Sequence, residues 1–163
     1  MNSSTYDHLL IGSDLVTAAK NIRRELREAF PGVAFSVRSR RFAGGDAIDI
    51  EWTDGPPVSA VQAITDKYSE GSFDGMTDSY DYRVRGEARD FNERHGGAKY
   101  VQTRRTYSPD LVAKTIDSLR PMYGDANAPT ADDFLNGRAW NRKTAGGGDW
   151  SRIISDALSN PGE

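Results

Sequence analysis

The chain contains no cysteine and only two histidines, His8 and His95. Without thiols there is no disulfide framework, no thiolate zinc site and no cysteine nucleophile, and two distant histidines leave few candidates for histidine-dependent chemistry. No cofactor or metal is therefore expected. No apolar run approaches the roughly 18 residues of a membrane span, and the opening MNSSTYDHLLIGSD has neither a basic nor an apolar leader region, so a cytoplasmic location without membrane contact is expected. Excess charge of one sign is also missing: 21 Lys plus Arg against 24 Asp plus Glu give a net charge of −3. What is present is 163 residues, 37% of them hydrophobic and 28% charged, enough for one polar domain with a modest core.

The first helix is expected to start at Ser13 or Asp14 and to stop before Pro31-Gly32. Leu15, Ala18, Ala19, Ile22, Leu26, Ala29 and Phe30 form its apolar stripe. Val33, Phe35 and Val37 then alternate with polar residues, as do Ile48, Ile50 and Trp52 beyond Gly44-Gly45, which predicts a β-hairpin over 33–52. One hairpin face is apolar and the other sets Arg38 and Arg40 beside Asp49 and Glu51. A short helix follows Pro57, a third strand is expected around Tyr80 to Val84 and a fourth over 98–107, with a polar loop over 86–97 between them. Ser108-Pro109 opens a third helix that Pro121 ends. The order α-β-β-α-β-β-α predicts an α+β fold, one antiparallel sheet of about four strands with helices on one face. This domain spans 13–121, a loop and flexible linker follow over 122–148, and Asp149 opens a C-terminal amphipathic helix over 149–159 with Trp150, Ile153, Ile154 and Leu158 on one side. That helix folds back onto the sheet or docks on a partner, folding back being favoured.

Charge runs in blocks. Residues 20–41 are basic, carrying Lys20, Arg23, Arg24, Arg27, Arg38, Arg40 and Arg41; residues 46–81 are acidic; residues 83–105 are basic again. Three readings follow. The blocks neutralise one another once folded; or Arg38, Arg40, Arg41, Arg104 and Arg105, with Tyr80, Tyr82 and Tyr100 interleaved, form a sheet face for nucleic acid; or the acidic block, with Asp74, Asp78 and Asp81, imitates a row of phosphates and occupies a protein's nucleic-acid groove.

Catalytic patterns are fragmentary. Asp46, Asp49 and Glu51 invite comparison with metal nucleases, but Thr53 stands where their lysine is required. Residues 137–144 approach a phosphate-binding loop, but Arg142 replaces its second glycine and no strand precedes it. His95, before Gly96-Gly97, reads as a surface loop residue. A binding protein is favoured over an enzyme, a carboxylate-based metal-dependent enzyme being the alternative.

Three stretches, SVRSRRFAGGDAIDIEWTDGP (36–56), EGSFDGMTDSYDY (70–82) and GGAKYVQTRRTY (96–107), together with the helix AAKNIRRELREAFPG, carry a resemblance. In this order they resemble the large polyvalent protein-associated domain family numbered twenty-nine, over roughly residues 13–107. Such domains occur in giant multi-domain proteins of phages and conjugative elements, and as small separate proteins there. The resemblance brings no catalytic residues. It implies a bacterial host and a role in delivering mobile DNA or protecting it against restriction or CRISPR systems. The expected function is thus a counter-defence inhibitor that binds a host defence protein or nucleoprotein complex stoichiometrically, with a nucleic-acid-binding accessory module as the alternative.

Overall fold

The computed structural model describes residues 5–74, 79–82 and 87–160, and only the backbone of 72–74, 79–82, 87 and 88. Helix α1 (Leu15–Ala29) begins where the Asp14 carboxylate accepts the N–H groups of Val16 at 2.8 Å and Thr17 at 2.9 Å. These bonds, Thr17 foremost, hold the Asp14 carboxyl below its ordinary range. Leu15, Ala18, Ala19, Ile22 and Leu26 are buried, as their spacing requires.

Strands β1 (Ser36–Phe42) and β2 (Gly45–Thr53) pair antiparallel, with Val37 opposite Ile50 and Arg38 opposite Asp49. Val37, Ile48, Ile50 and Trp52 are buried against α1, and the Trp52 indole N–H donates to the Pro56 carbonyl at 3.0 Å. Val33 and Phe35 precede the strand and pack partly buried on the same core. Helix α2 (Val58–Thr65) and the 3₁₀ turn Asp66–Tyr68 add Val61 and Tyr68 to it.

The fold is α+β, but the sheet has three strands rather than about four. Strand β3 (Gly71–Asp74) and strand β4 (Ser79–Tyr82) form a separate two-stranded ladder, and β5 (Tyr100–Thr106) crosses over to lie beside β2 in a mixed sheet ordered β1-β2-β5. Alternation over Tyr80 to Tyr82 announces a strand without naming its neighbour, and a nearby partner closes a shorter loop than the central sheet does. Val84 lies outside the described residues.

The loop expected over 86–97 is instead helix α3 (Glu87–His95). Its sequence is polar, but Phe91 and His95, four residues apart, are buried, and the Phe91 ring stands edge-on to Tyr6 and Tyr68 at 4.9 and 5.0 Å. Asn92 is buried as well, and a single apolar residue among polar ones gives no stripe to read by periodicity. The turn after α3 requires glycine: at Gly96, φ is +84° and a Cβ would lie 2.5 Å from the Asp14 carbonyl oxygen.

The chain divides into two compact units after Arg104. In the second, Ser108 caps helix α4 (Pro109–Tyr123), accepting the Leu111 N–H at 3.2 Å. Pro121 lies inside the helix rather than ending it, because proline in the last turn removes one hydrogen bond without blocking the two residues that follow; Gly124, with φ +84°, makes the stop. Thr130 and Asp133 form a capping box on the short helix α5 (Ala131–Leu135). Helix α6 (Trp150–Ser159) packs on α4: Val112, Ile116, Trp150, Ile154 and Leu158 form one core. Residues 141–148 are not a free linker. The Thr144 N–H donates to Gly148 O, Gly148 N–H to Thr144 Oγ1 and Trp150 N–H to Arg142 O, all at 2.8–3.0 Å. Glycine-rich composition hides these turn bonds, which use backbone groups and the Thr144 hydroxyl.

Candidate interaction surfaces

The register of the sheet decides which side chains share its outer face. Arg38, Arg40 and Phe42 alternate along β1, Asp49 and Glu51 along β2, and the exposed Gln102 and Arg104 along β5. A groove of about 490 Å³ opens between Arg38, Asp49, Glu51, Gln102, Thr103 and Arg104. Arg40 Nε lies 2.7 Å from Asp49 Oδ2, and this hydrogen bond raises the Arg40 guanidinium above its ordinary pKa. Arg104, 75% exposed at its side chain, lies 3.8 Å from Glu51. Arg38 is exposed and makes no ion pair among the described residues.

At the hairpin end of the face, Phe42 and Tyr100 stack with planes 24° apart and centroids at 6.1 Å. Arg40 lies 5.2 Å from the Phe42 ring centroid and Lys99 5.4 Å from that of Tyr100. Gly45 makes room: a Cβ there would come within 2.7 Å of the Lys99 stem.

Of the arginines and tyrosines expected on a nucleic-acid face, the structure brings Arg38, Arg40 and Arg104 together. Arg41 sits opposite Asp46 and alternates to the other face. Arg105 belongs to the second unit, where it donates to the Leu158 carbonyl at 2.8 Å and covers the Tyr107 ring. Tyr80 and Tyr82 are in the β3–β4 ladder, opposite Phe73 and Gly71. Phe42 was missed, although Arg38-x-Arg40-x-Phe42 is the alternation that places it. Of the acidic residues, Asp74 pairs with Ser79 and Asp81 with Ser72 in that ladder, and Asp78 lies outside the described residues.

The carboxylates compared with a nuclease site are engaged separately: Asp46 accepts the Lys99 backbone N–H at 2.8 Å, Asp49 pairs with Arg40 and Glu51 with Arg104. Among the described residues no group of three or more His, Cys, Asp or Glu side chains is arranged to hold a metal. Glu70 is half-buried, and burial first, then Asp46, raises its carboxyl above the ordinary range. His95 is not a surface loop residue but the buried end of α3, its Nδ1 3.0 Å from the Leu10 carbonyl. Beneath the opposite side of the sheet, Glu25 takes Lys67 at 2.5 Å and the Tyr68 hydroxyl at 2.5 Å, and burial first, then this bond, raises the Tyr68 phenol far above its ordinary value.

An α+β module with an open, charged sheet face is the class these features define. The chain belongs to the family of large polyvalent protein associated domain 29, whose model matches residues 14–108. That span runs from the cap of α1 to the cap of α4. Neither a curated protein nor a solved structure matches the chain. The family places the chain in the context of phages or other mobile elements. No helix among the described residues is long and apolar enough to cross a membrane.

Proposed function

We propose that this chain is a non-enzymatic binding protein of a mobile genetic element that opposes host defence by holding a restriction or CRISPR protein, or its nucleoprotein complex, stoichiometrically. The observation that supports this most is the groove bounded by Arg38, Asp49, Glu51 and Arg104, where charges of both signs stand exposed in fixed register. Alternating charge on a rigid sheet gives a partner surface specificity and fast association without requiring a reaction. The mobile-element context of the family supplies the biological setting. Asp74, Asp78 and Asp81 extend the acidic side of this reading to the β3–β4 ladder and the residues between its strands.

A second reading rests on the Phe42–Tyr100 pair: with Arg38, Arg40 and Arg104 on the same face, the sheet offers rings for base stacking and guanidinium groups for phosphate. Co-purification with tagged restriction and CRISPR effector complexes separates the two. The first reading expects retention at a fixed ratio, lost in Asp49→Lys/Glu51→Lys. Retention unaffected by these reversals and by reversal of Asp74 and Asp81, or none with any complex, would overturn it.

A further inference from the structure

We infer that α1 carries a second binding surface, separate from the sheet face, that takes the phosphate backbone of duplex nucleic acid. Lys20, Arg23, Arg24 and Arg27 occupy positions i, i+3, i+4 and i+7, which the helical repeat puts on one stripe roughly 10 Å long. They line a groove of about 410 Å³ in which Glu28 is the one acid.

The sequence KNIRRELRE marks this segment as basic, but Glu25 and Glu28 stand among the cations and dilute the excess. Folding removes one of them. The Glu25 side chain, 11% exposed, turns inward to Lys67 and Tyr68, so its charge is spent in the interior. Glu28 engages Arg24 at 3.3 Å in an exposed pair four residues apart, a solvent-screened contact readily exchanged for phosphate. Lys20 and Arg27 are exposed and have no ion pair among the described residues. Arg23 donates to the Val37 carbonyl, which fixes its guanidinium beside the edge strand β1. Local excess charge therefore stands on a chain that is acidic overall.

The chemistry points to phosphate rather than to bases. The groove is lined by long cationic side chains and Glu28, with no aromatic ring to stack on, so a regular backbone is the ligand that fits and sequence discrimination is not expected. This inference does not rest on the proposed function, because none of its residues lies on the sheet face.

The test is fluorescence anisotropy of the full chain with a labelled duplex DNA of mixed sequence across a salt series. The wild type is expected to bind with log affinity falling about threefold as steeply as log salt rises. Lys20→Gln/Arg24→Gln/Arg27→Gln is expected to lose at least about tenfold in affinity at low salt and most of that slope, while Lys114→Gln/Arg152→Gln, which removes exposed cations elsewhere, stays within about twofold. Arg23 is left in place because it bonds to β1. Circular dichroism verifies the fold, and if the triple variant is unfolded, Arg27→Glu alone is expected to weaken binding severalfold. Absence of wild-type binding at low salt, an unchanged folded stripe variant, or loss confined to Arg38→Gln/Arg104→Gln, which would move the site to the sheet face, would overturn the inference. So would binding of a polyglutamate peptide without binding of the duplex, which would assign the stripe to an acidic protein.

Discussion

The two compact units bury their cores by different means. In residues 5–104 a helix covers a sheet, and the core draws on α1, α2, α3 and both hairpin strands, with Trp52 and Tyr68 as its largest rings. In residues 105–160 two helices cover one another around Trp150, with α5 and the loops supplying the margin. Charge differs as sharply. The first unit sets cations and carboxylates on open faces; the second turns them into local braces, Asp133 joining Arg138 at 3.3 Å and Arg142 at 2.8 Å. The family match over residues 14–108 takes in most of the first unit and stops where α4 begins.

The largest expected effects fall on the two tryptophans. Trp150→Ala and Trp52→Ala each remove a buried ring, 0% and 3% exposed, and are expected to cost about 3–5 kcal/mol in denaturant unfolding. A small loss at Trp150 would show that the second unit lacks a core of its own and would break the comparison. Next comes Tyr68→Phe, which leaves a Glu25 oxygen without its donor inside the first unit; urea titration is expected to show a loss of about 1–3 kcal/mol.

A smaller effect sharpens the electrostatic side. Because the folded state raises the Glu70 carboxyl, its ionised form weakens the fold: the penalty is absent below about 4.5, enters as pH rises through that value to the higher folded value, and then stays constant. Glu70→Gln is therefore expected to raise Tm at neutral pH and to leave it unchanged at pH 4, as thermal melts at the two pH values would show. Smallest of all, residues 141–148 are expected to resist limited proteolysis at low protease, since Thr144, Gly148 and Trp150 tie the segment to itself.

Legibility followed the strength of periodicity. The cap at Asp14, the stripe of α1 and the buried face of the hairpin are written in spacing that only one local structure satisfies. Helix α3 was not, because Phe91 is the one apolar side chain among its described buried residues, the others being Asn92 and His95. Strand partnership was not either: Tyr80 and Tyr100 both belong to alternating segments, but a local pairing with β3 puts one in a separate ladder and a long-range pairing puts the other beside β2. The sheet face was half legible. Arg38, Arg40 and Arg104 were named from the sequence, while Phe42 and the inward turn of Glu25 depend on register and on Lys67, 42 residues away.

Plasmid establishment in paired hosts, one with an active restriction or CRISPR system and one without, tests most directly whether the sheet face serves counter-defence. Expression of the wild-type chain is expected to raise establishment in the defended host alone, in proportion to the amount of protein, and Asp49→Lys/Glu51→Lys is expected to abolish the gain while the protein stays folded. Equal establishment with and without the chain across such hosts, or full protection by the reversed variant, would contradict it.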